Sequence, residues 1–316
     1  MRILQDYLLN NKQLPGIKEN ILATVAYFDM FNYPLTGTEI HLFLKSKCAQ
    51  GDFDEALKHL VIEGLLFRFE KYYALKNDSR LIARRRDGNA KAVELITIAG
   101  KISELLIHFP FVRGIAISGS LSKNWADDDS DIDLFIITAK NRLWIARTLM
   151  HIFKKLTFLV NKQDYFCMNY YVDEQELEII EKNIYTAIEI VTLIPLQGDN
   201  AFEQFYAANL WTQCYLPNKI MRLSSARPSK DSFLKRFLER LLDYSGGNEL
   251  DNILMKITAA RWYKKTLSNQ VNSKGSVMAM DAGRHYSKPH PANFQARLLK
   301  QYGDKVSKLT QKMLVH

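Results

Sequence analysis

Cysteine is scarce in this 316-residue chain, with Cys48, Cys167 and Cys214 its only three. They are odd in number, far apart and without paired spacing, which argues against a disulfide framework and a thiolate zinc site and leaves buried, reduced, structural thiols as the expectation. A long uninterrupted apolar run is also missing. The nearest to one, Leu143 to Val160, is broken by Arg147, His151, Lys154 and Lys155, and each basic residue costs about 3 kcal/mol at a bilayer centre. An amphipathic helix is expected there, and no membrane partner. The stretch Met1 to Lys12 has no apolar segment leading to a small-residue cleavage site, so no secretory leader is read and a cytoplasmic location is expected. No segment repeats convincingly at a fixed period.

Acidic residues are in deficit, 34 against 43 Lys and Arg, and the deficit is local. Residues 201–316 hold 19 basic and 8 acidic side chains, a net +11, while the first 200 hold 24 and 26, a net −2. A basic third of this kind marks either a polyanionic partner, such as RNA, DNA or a nucleotide, or a solvated helical surface. Hydrophobic residues make up 47% and charged ones 24%, ordinary for a globular chain of two or three units.

Periodicity divides the chain at about 78 and 200. In 1–78, Ile21, Leu22, Val25, Phe28 and Phe31 recur at helical spacing, and Asn32, Tyr33 and Pro34 stop the pattern. Thr36 is placed to cap a second helix through Glu39 and Leu44, and a third is expected from Asp52 to Glu63, ended by Gly64. Leu65–Phe69 and Tyr72–Leu75 then read as a hairpin. The order resembles a winged helix-turn-helix. Its third helix carries only Lys58 and His59 against Asp52, Asp54, Glu55 and Glu63, which argues against DNA, because phosphate neutralisation needs several cations.

In 79–200 a long helix is expected from 79 to 108, with a break at Gly88 and a solvated basic cluster at Arg80, Arg84, Arg85 and Arg86. Val112–Ser118 and Ile132–Thr138 read as strands, and another helix spans Asn183–Thr192. Residues 201–316 read as helices over Phe202–Cys214, Ser232–Tyr244, Leu250–Leu267 and Phe294–Leu314, interrupted at Gly246-Gly247 and over Ser268–Pro291. Trp211, Phe237, Trp262 and Tyr263 are expected to be core residues. The fold class is α+β: a mixed sheet with helices, preceded by a winged-helix-like unit and followed by a helical one.

Chemistry concentrates in Gly114 to Thr138. The first strand ends at Gly119, where the missing side chain lets backbone amides approach a phosphate, and Ser120 can give its hydroxyl to the same oxygens. On the next strand Asp131 and Asp133 are two apart, so alternation sets both carboxylates on one face while Ile132 enters the core. Two aligned carboxylates beside such a turn suit magnesium, which takes hard oxygen ligands and keeps positions for water and phosphate. Asp127, Asp128 and Asp129 read as an acidic loop capped by Ser130.

Gly119-Ser120 followed by Asp131-Ile132-Asp133 resembles the signature of the polymerase-beta nucleotidyltransferase superfamily, with a weaker echo in Arg142-Leu-Trp144-Ile-Ala-Arg147. The resemblance implies attack of an unidentified hydroxyl acceptor, on a small molecule, a protein or an RNA, on the α-phosphate of a nucleoside triphosphate, with pyrophosphate leaving. It implies two magnesium ions, or manganese in their place, on Asp131 and Asp133. Gly119 and Ser120 would hold the β and γ phosphates, with Lys123 and Asn124 as further nucleotide contacts.

Active members of that superfamily bring a third carboxylate from a later strand, which helps deprotonate the acceptor. The later strand here, Tyr165–Val172, has no internal acid; alternation puts Cys167, Asn169 and Tyr171 on one face, so Asn169 is expected in the third position, unable to act as a base. Asp164 and Asp173 read as turn residues, and Glu189 as an exposed helix residue and a remote candidate base. The second reading is a catalytically inactive nucleotide-binding regulatory or interaction protein. Arg284–His290 reads as a basic loop over the cleft, with Arg284, Lys288 and Arg297 as contacts for an anionic acceptor.

Overall fold

Thr36 shows how closely local sequence sets the first unit. Its hydroxyl accepts from the Glu39 amide at 3.2 Å while the Glu39 carboxylate accepts from the Thr36 amide at 2.8 Å, a reciprocal cap that starts a helix cleanly. The computed structural model describes residues 2–157, 167–219, 226–228, 232–243, 246–268, 280–289 and 294–315. In it α1 (Arg2–Asp29) is followed by β1 (Leu35–Thr36), α2 (Gly37–Leu42), α3 (Gln50–Ile62) and the hairpin β2 (Phe67–Phe69) and β3 (Tyr72–Ala74). The three short strands form one antiparallel sheet in the order β1-β3-β2.

Then come α4 (Arg80–Leu106), β4 (Val112–Ile117), β5 (Asp133–Thr138), α5 (Leu143–Thr157), β6 (Cys167–Asp173), α6 (Ile184–Thr192), β7 (Ile194–Gln197) and α7 (Asp199–Ala208). The chain closes with α8 (Phe233–Asp243), α9 (Gly247–Leu267), β8 (Met280–Ala282), β9 (Tyr286–Pro289) and α10 (Phe294–Val315). The fold is α+β. A six-stranded mixed sheet runs β7-β4-β5-β6-β9-β8, with only β5 and β6 parallel.

The sheet is buried on both faces, and period-two alternation sorts its residues. Ile115, Ile117, Leu134 and Ile136 pack beneath α4 and α5, while Ala116, Phe135 and Ile137 pack against Phe202 and Phe205 of α7. A third cluster joins α1, α2 and α3 to α6 and α10, through Ile184, Ile188, Leu298 and Tyr302. Helix α6 therefore belongs to the first unit's core as well as to the sheet's flank.

Several expectations need correcting. Helix α4 is unbroken at Gly88, whose bare Cα makes room for the Trp125 indole: a Cβ there would lie 2.2 Å from its nitrogen. The arginine cluster is solvated at Arg80, Arg84 and Arg86 but not at Arg85. Arg85 is buried, bonded to the Pro34 carbonyl at 2.5 Å and to Glu39 at 2.7 Å, and lies 3.7 Å over the Tyr33 ring. Arg84 stacks on Trp125 at 4.3 Å. The last third is not wholly helical, since β8 and β9 extend the central sheet. The expected loop at Arg284–His290 thus contains a strand, although His290 itself and Pro291 lie outside the described residues, as do Asp164, Tyr165 and Phe166. Phe237 and Tyr263 are exposed, not core, and of the cysteines expected to be buried Cys214 is exposed while Cys48 and Cys167 are half-buried. Among the described residues no helix is long and apolar enough to cross a membrane.

His151 on α5 carries a pH dependence. Its Nε2 is buried with no hydrogen bond to a described residue, and burial, aided by Arg147, Lys154 and Lys155, pushes its pKa down to about 3. The unfolded chain takes up this proton near the ordinary value of about 6.5 and the folded chain does not, so stability is full above that pH and falls as pH drops towards the folded value. The loss reaches about 2 kcal/mol near pH 5. Asp251 acts in the opposite sense, because burial raises it to about 6. Thermal melts of His151→Phe against wild type isolate the histidine: the variant is expected to lose less stability between pH 7 and 5, and parallel curves would reject the assignment.

Candidate functional site

Strand β4 stops because Gly119 turns left-handed, at φ +68. The Ser118 amide still donates to the Asp133 carbonyl at 2.9 Å, which keeps the turn on β5. A 3-10 turn over Leu121–Lys123 follows, and Asn124 ends it at φ 58. The Gly119 carbonyl is held twice, by the Ser122 hydroxyl at 2.8 Å and the Lys123 ammonium at 2.9 Å. Ser120 is exposed, and its hydroxyl makes no bond to a described residue. The loop is also braced from outside: the Tyr33 hydroxyl donates to the Lys123 carbonyl at 2.5 Å, and the Ala126 amide donates to the Gly88 carbonyl at 3.1 Å.

Asp133 opens β5, and Asp131 lies just before it; both are half-buried, with Ile132 in the core between them. The glycine turn meets Asp133 directly. A Cβ on Gly119 would come within 2.5 Å of Asp133 Oδ2, so only glycine fits this approach.

The register of β5 against β6 brings in the third expected residue. Asp133 pairs with Cys167 and Leu134 with Met168, then the register slips so that Phe135 faces Tyr170. Asn169 is the residue left over at that slip, and its Nδ2 donates to Asp133 Oδ1. The slip corrects one expectation: Tyr171 joins Met168 under α5 and does not share a face with Asn169. The Asn169 amide oxygen is occupied too, accepting from the Cys167 thiol at 2.8 Å. As oriented, Asn169 shows the carboxylate a donor, not a ligand oxygen.

Asp173 is fully buried at the end of β6. It accepts from the amides of Asn141 and Gln175, both at 2.9 Å, and contacts His285 Nδ1 at 2.9 Å. It is a turn organiser at the far end of the strand from Asp133.

Helix α6 supplies residues that the sequence pattern misses or misplaces. Glu189 is not on an exposed face: its carboxylate lies 2.9 Å from the Lys123 ammonium. Thr192 lies 3.3 Å from the Ser122 hydroxyl, and the charge of Asp133 reaches Tyr185, whose hydroxyl is pushed far up mainly by burial. Tyr185, Glu189 and Thr192 fall at i, i+4 and i+7, a polar stripe on an otherwise apolar helix. That pattern is visible in the sequence once Asn183, which caps the helix at 3.0 Å, fixes its phase.

The donor set can be weighed without any ligand. Among the described residues there is no group of three or more His, Cys, Asp or Glu arranged to hold a metal ion. Two half-buried carboxylates beside a glycine turn suit a cation that takes its remaining ligands from water and phosphate. Lys123 is engaged by Gly119 and Glu189, and Asn124 is exposed at the turn's end. Lys288, expected as an acceptor contact, is paired with Glu181 and lies 3.4 Å from Asp281, while Arg284 and Arg297 are exposed. No family model, curated protein or solved structure matches the chain.

Proposed function

We propose that this chain binds a magnesium–nucleoside triphosphate at Gly119, Ser120, Asp131 and Asp133 and transfers its nucleoside monophosphate to a hydroxyl acceptor. The observation that carries the reading is the direct approach of the glycine turn to Asp133, which sets backbone amides of the kind that receive phosphate beside a metal-type ligand. In this reading Asp131 and Asp133 hold the ion, and the Ser120 hydroxyl and the turn's amides bind the outer phosphates. Bound magnesium would neutralise triphosphate charge there. The acceptor oxygen bonds to the α-phosphorus, the α–β anhydride bond breaks, and pyrophosphate leaves with the electron pair. The acceptor's proton goes to solvent, because an amide at Asn169 cannot take it. The ligands present suit one ion better than two.

A second reading, a silent nucleotide-binding regulator, is favoured specifically by that amide. The first unit, with its helix and strand order α1-β1-α2-α3-β2-β3, fits a winged helix in either case. The exposed residues of α3 include Asp54 and Glu55 beside Lys58, which supports a protein contact over DNA.

Calorimetric titration of each nucleoside triphosphate, with and without magnesium, tests the site. Binding is expected to need the metal and to weaken at least about 100-fold in Asp131→Ala/Asp133→Ala, since even indirect partners of metal ligands are worth 10–100-fold. Equal affinity in the variant would refute the site. Pyrophosphate release with candidate acceptors separates the transferase from the silent binder.

A further inference from the structure

Helix α8 packs against the protein through its polar side. Lys235 is buried and its ammonium donates to the carbonyls of Ile107 at 3.0 Å and Val112 at 2.8 Å. One turn on, Glu239 accepts from the Phe111 amide at 2.7 Å and from Arg113 at 2.8 Å. A further turn on, Asp243 accepts from Arg142 Nε at 2.7 Å. The opposite stripe is left outside: Phe233 is 81% exposed, Leu234 64%, Phe237 55% and Leu241 63%. Surface helices of globular proteins normally bury that stripe.

The edge of the stripe is cationic. Arg236 and Arg240, one turn apart and exposed, border a cleft of about 450 Å³ with Lys140. Arg113 and Arg142 in the same cleft are already paired with Glu239 and Asp243, whereas the side chains of Arg236 and Arg240 make no hydrogen bond or ion pair with a described residue. The cleft lies at the Thr138 end of β5, about 16 Å from the Asp133 end at the usual rise per residue. It is separate from the candidate nucleotide site. Helix α9 continues the same chemistry, exposing Leu250, Ile253 and Ile257 alongside Lys256 and Arg261.

We propose that the outward face of α8, with the Arg236 and Arg240 cleft beside it, docks the protein on an anionic phospholipid surface. An apolar stripe flanked by arginines is what lies flat at a headgroup boundary, and anionic headgroups supply the charge the two guanidinium groups lack. Unpaired nucleobases can stack on the two phenylalanines, but they leave Leu234 and Leu241 in water, whereas acyl chains cover all four side chains. A second copy would bring the same cations against each other, from a region whose net charge is +11. The absence of a membrane-crossing helix has no bearing on a helix of 11 residues lying in the interface.

The test is co-sedimentation of the full chain with vesicles of phosphatidylcholine alone or mixed with phosphatidylglycerol. Binding is expected only to the anionic vesicles and to weaken with salt. Arg236→Gln/Arg240→Gln should weaken it about 30-fold, near the sum expected for two surface cations. Phe233→Ser/Phe237→Ser should weaken it by about tenfold or more, with an unchanged melting temperature because both side chains are exposed. No binding, or equal binding to neutral vesicles, overturns the proposal. So does a concentration-dependent dimer in light scattering that Phe233→Ser/Phe237→Ser abolishes without any vesicle binding, which would give the face to a second copy.

Discussion

In Asn169→Asp the melting temperature is expected to fall without magnesium and to recover when magnesium is added. The amide nitrogen of Asn169 now donates to Asp133 Oδ1; a carboxylate in its place turns that hydrogen bond into a like-charge contact. Both residues are half-buried, so solvent screens part of the repulsion, and a cost of about 2 kcal/mol is the right order. For a chain of this size that is roughly 3 °C. A cation binding three carboxylates removes the repulsion, and at 100 times its dissociation constant it returns about 2.7 kcal/mol. The same variant should release pyrophosphate faster than wild type, because it gains a proton acceptor at the third position. A melting temperature indifferent to both the substitution and magnesium would mean that Asn169 and Asp133 do not share a cation site.

The second large effect is expected at Gly119. Gly119→Val puts a branched Cβ at φ +68, where an L residue is strained by about 1–2 kcal/mol, and drives it to 2.5 Å from Asp133 Oδ2. Asp133 cannot retreat freely, since its backbone is held in β5 and its carbonyl accepts from Ser118. Magnesium-dependent nucleotide binding should therefore drop by about 100-fold or more, while the melting temperature falls by only a few degrees. Gly119→Ala should be intermediate. Full affinity in both variants would show that nucleotide, if bound at all, does not use this turn.

Both effects concern residues whose pattern is legible in the amino-acid sequence. Gly119 between two apolar strands, and the Asp131/Asp133 spacing, require only strand alternation. The place of Asn169 is legible too, but not its orientation: the slip after Leu134 that sets it opposite Asp133 also turns Tyr171 to the other face, and bulges leave little trace in a single strand's sequence. The burial of Arg85 is hidden because a run of three arginines looks solvated when each is counted alone. Its partners Glu39, Pro34 and Tyr33 lie about 50 positions away. Gly88 misleads for a related reason, since a helix glycine is normally a weak point, and here it is a socket for Trp125. The β8–β9 hairpin has the weakest signal, two short strands whose pairing partner β6 lies more than 100 residues upstream. Helix α8 has a clear apolar stripe, but periodicity cannot say which way a stripe faces.

The packing of α10 against α1 has a consequence for how the chain is made. Tyr302 sits against Tyr27 with ring centroids 5.8 Å apart, Leu298 shares their core, and Lys305 pairs with Asp29. A ribosome adding about 5–20 residues per second needs on the order of 15–60 s to travel from the first of these partners to the last. During that interval α2 and α3 can cover part of the apolar surface of α1, but the side that faces α10 is synthesised and uncovered. The α10-facing side of α1 is thus among the last surfaces to be covered, and a nascent chain stalled before α10 should be a chaperone client.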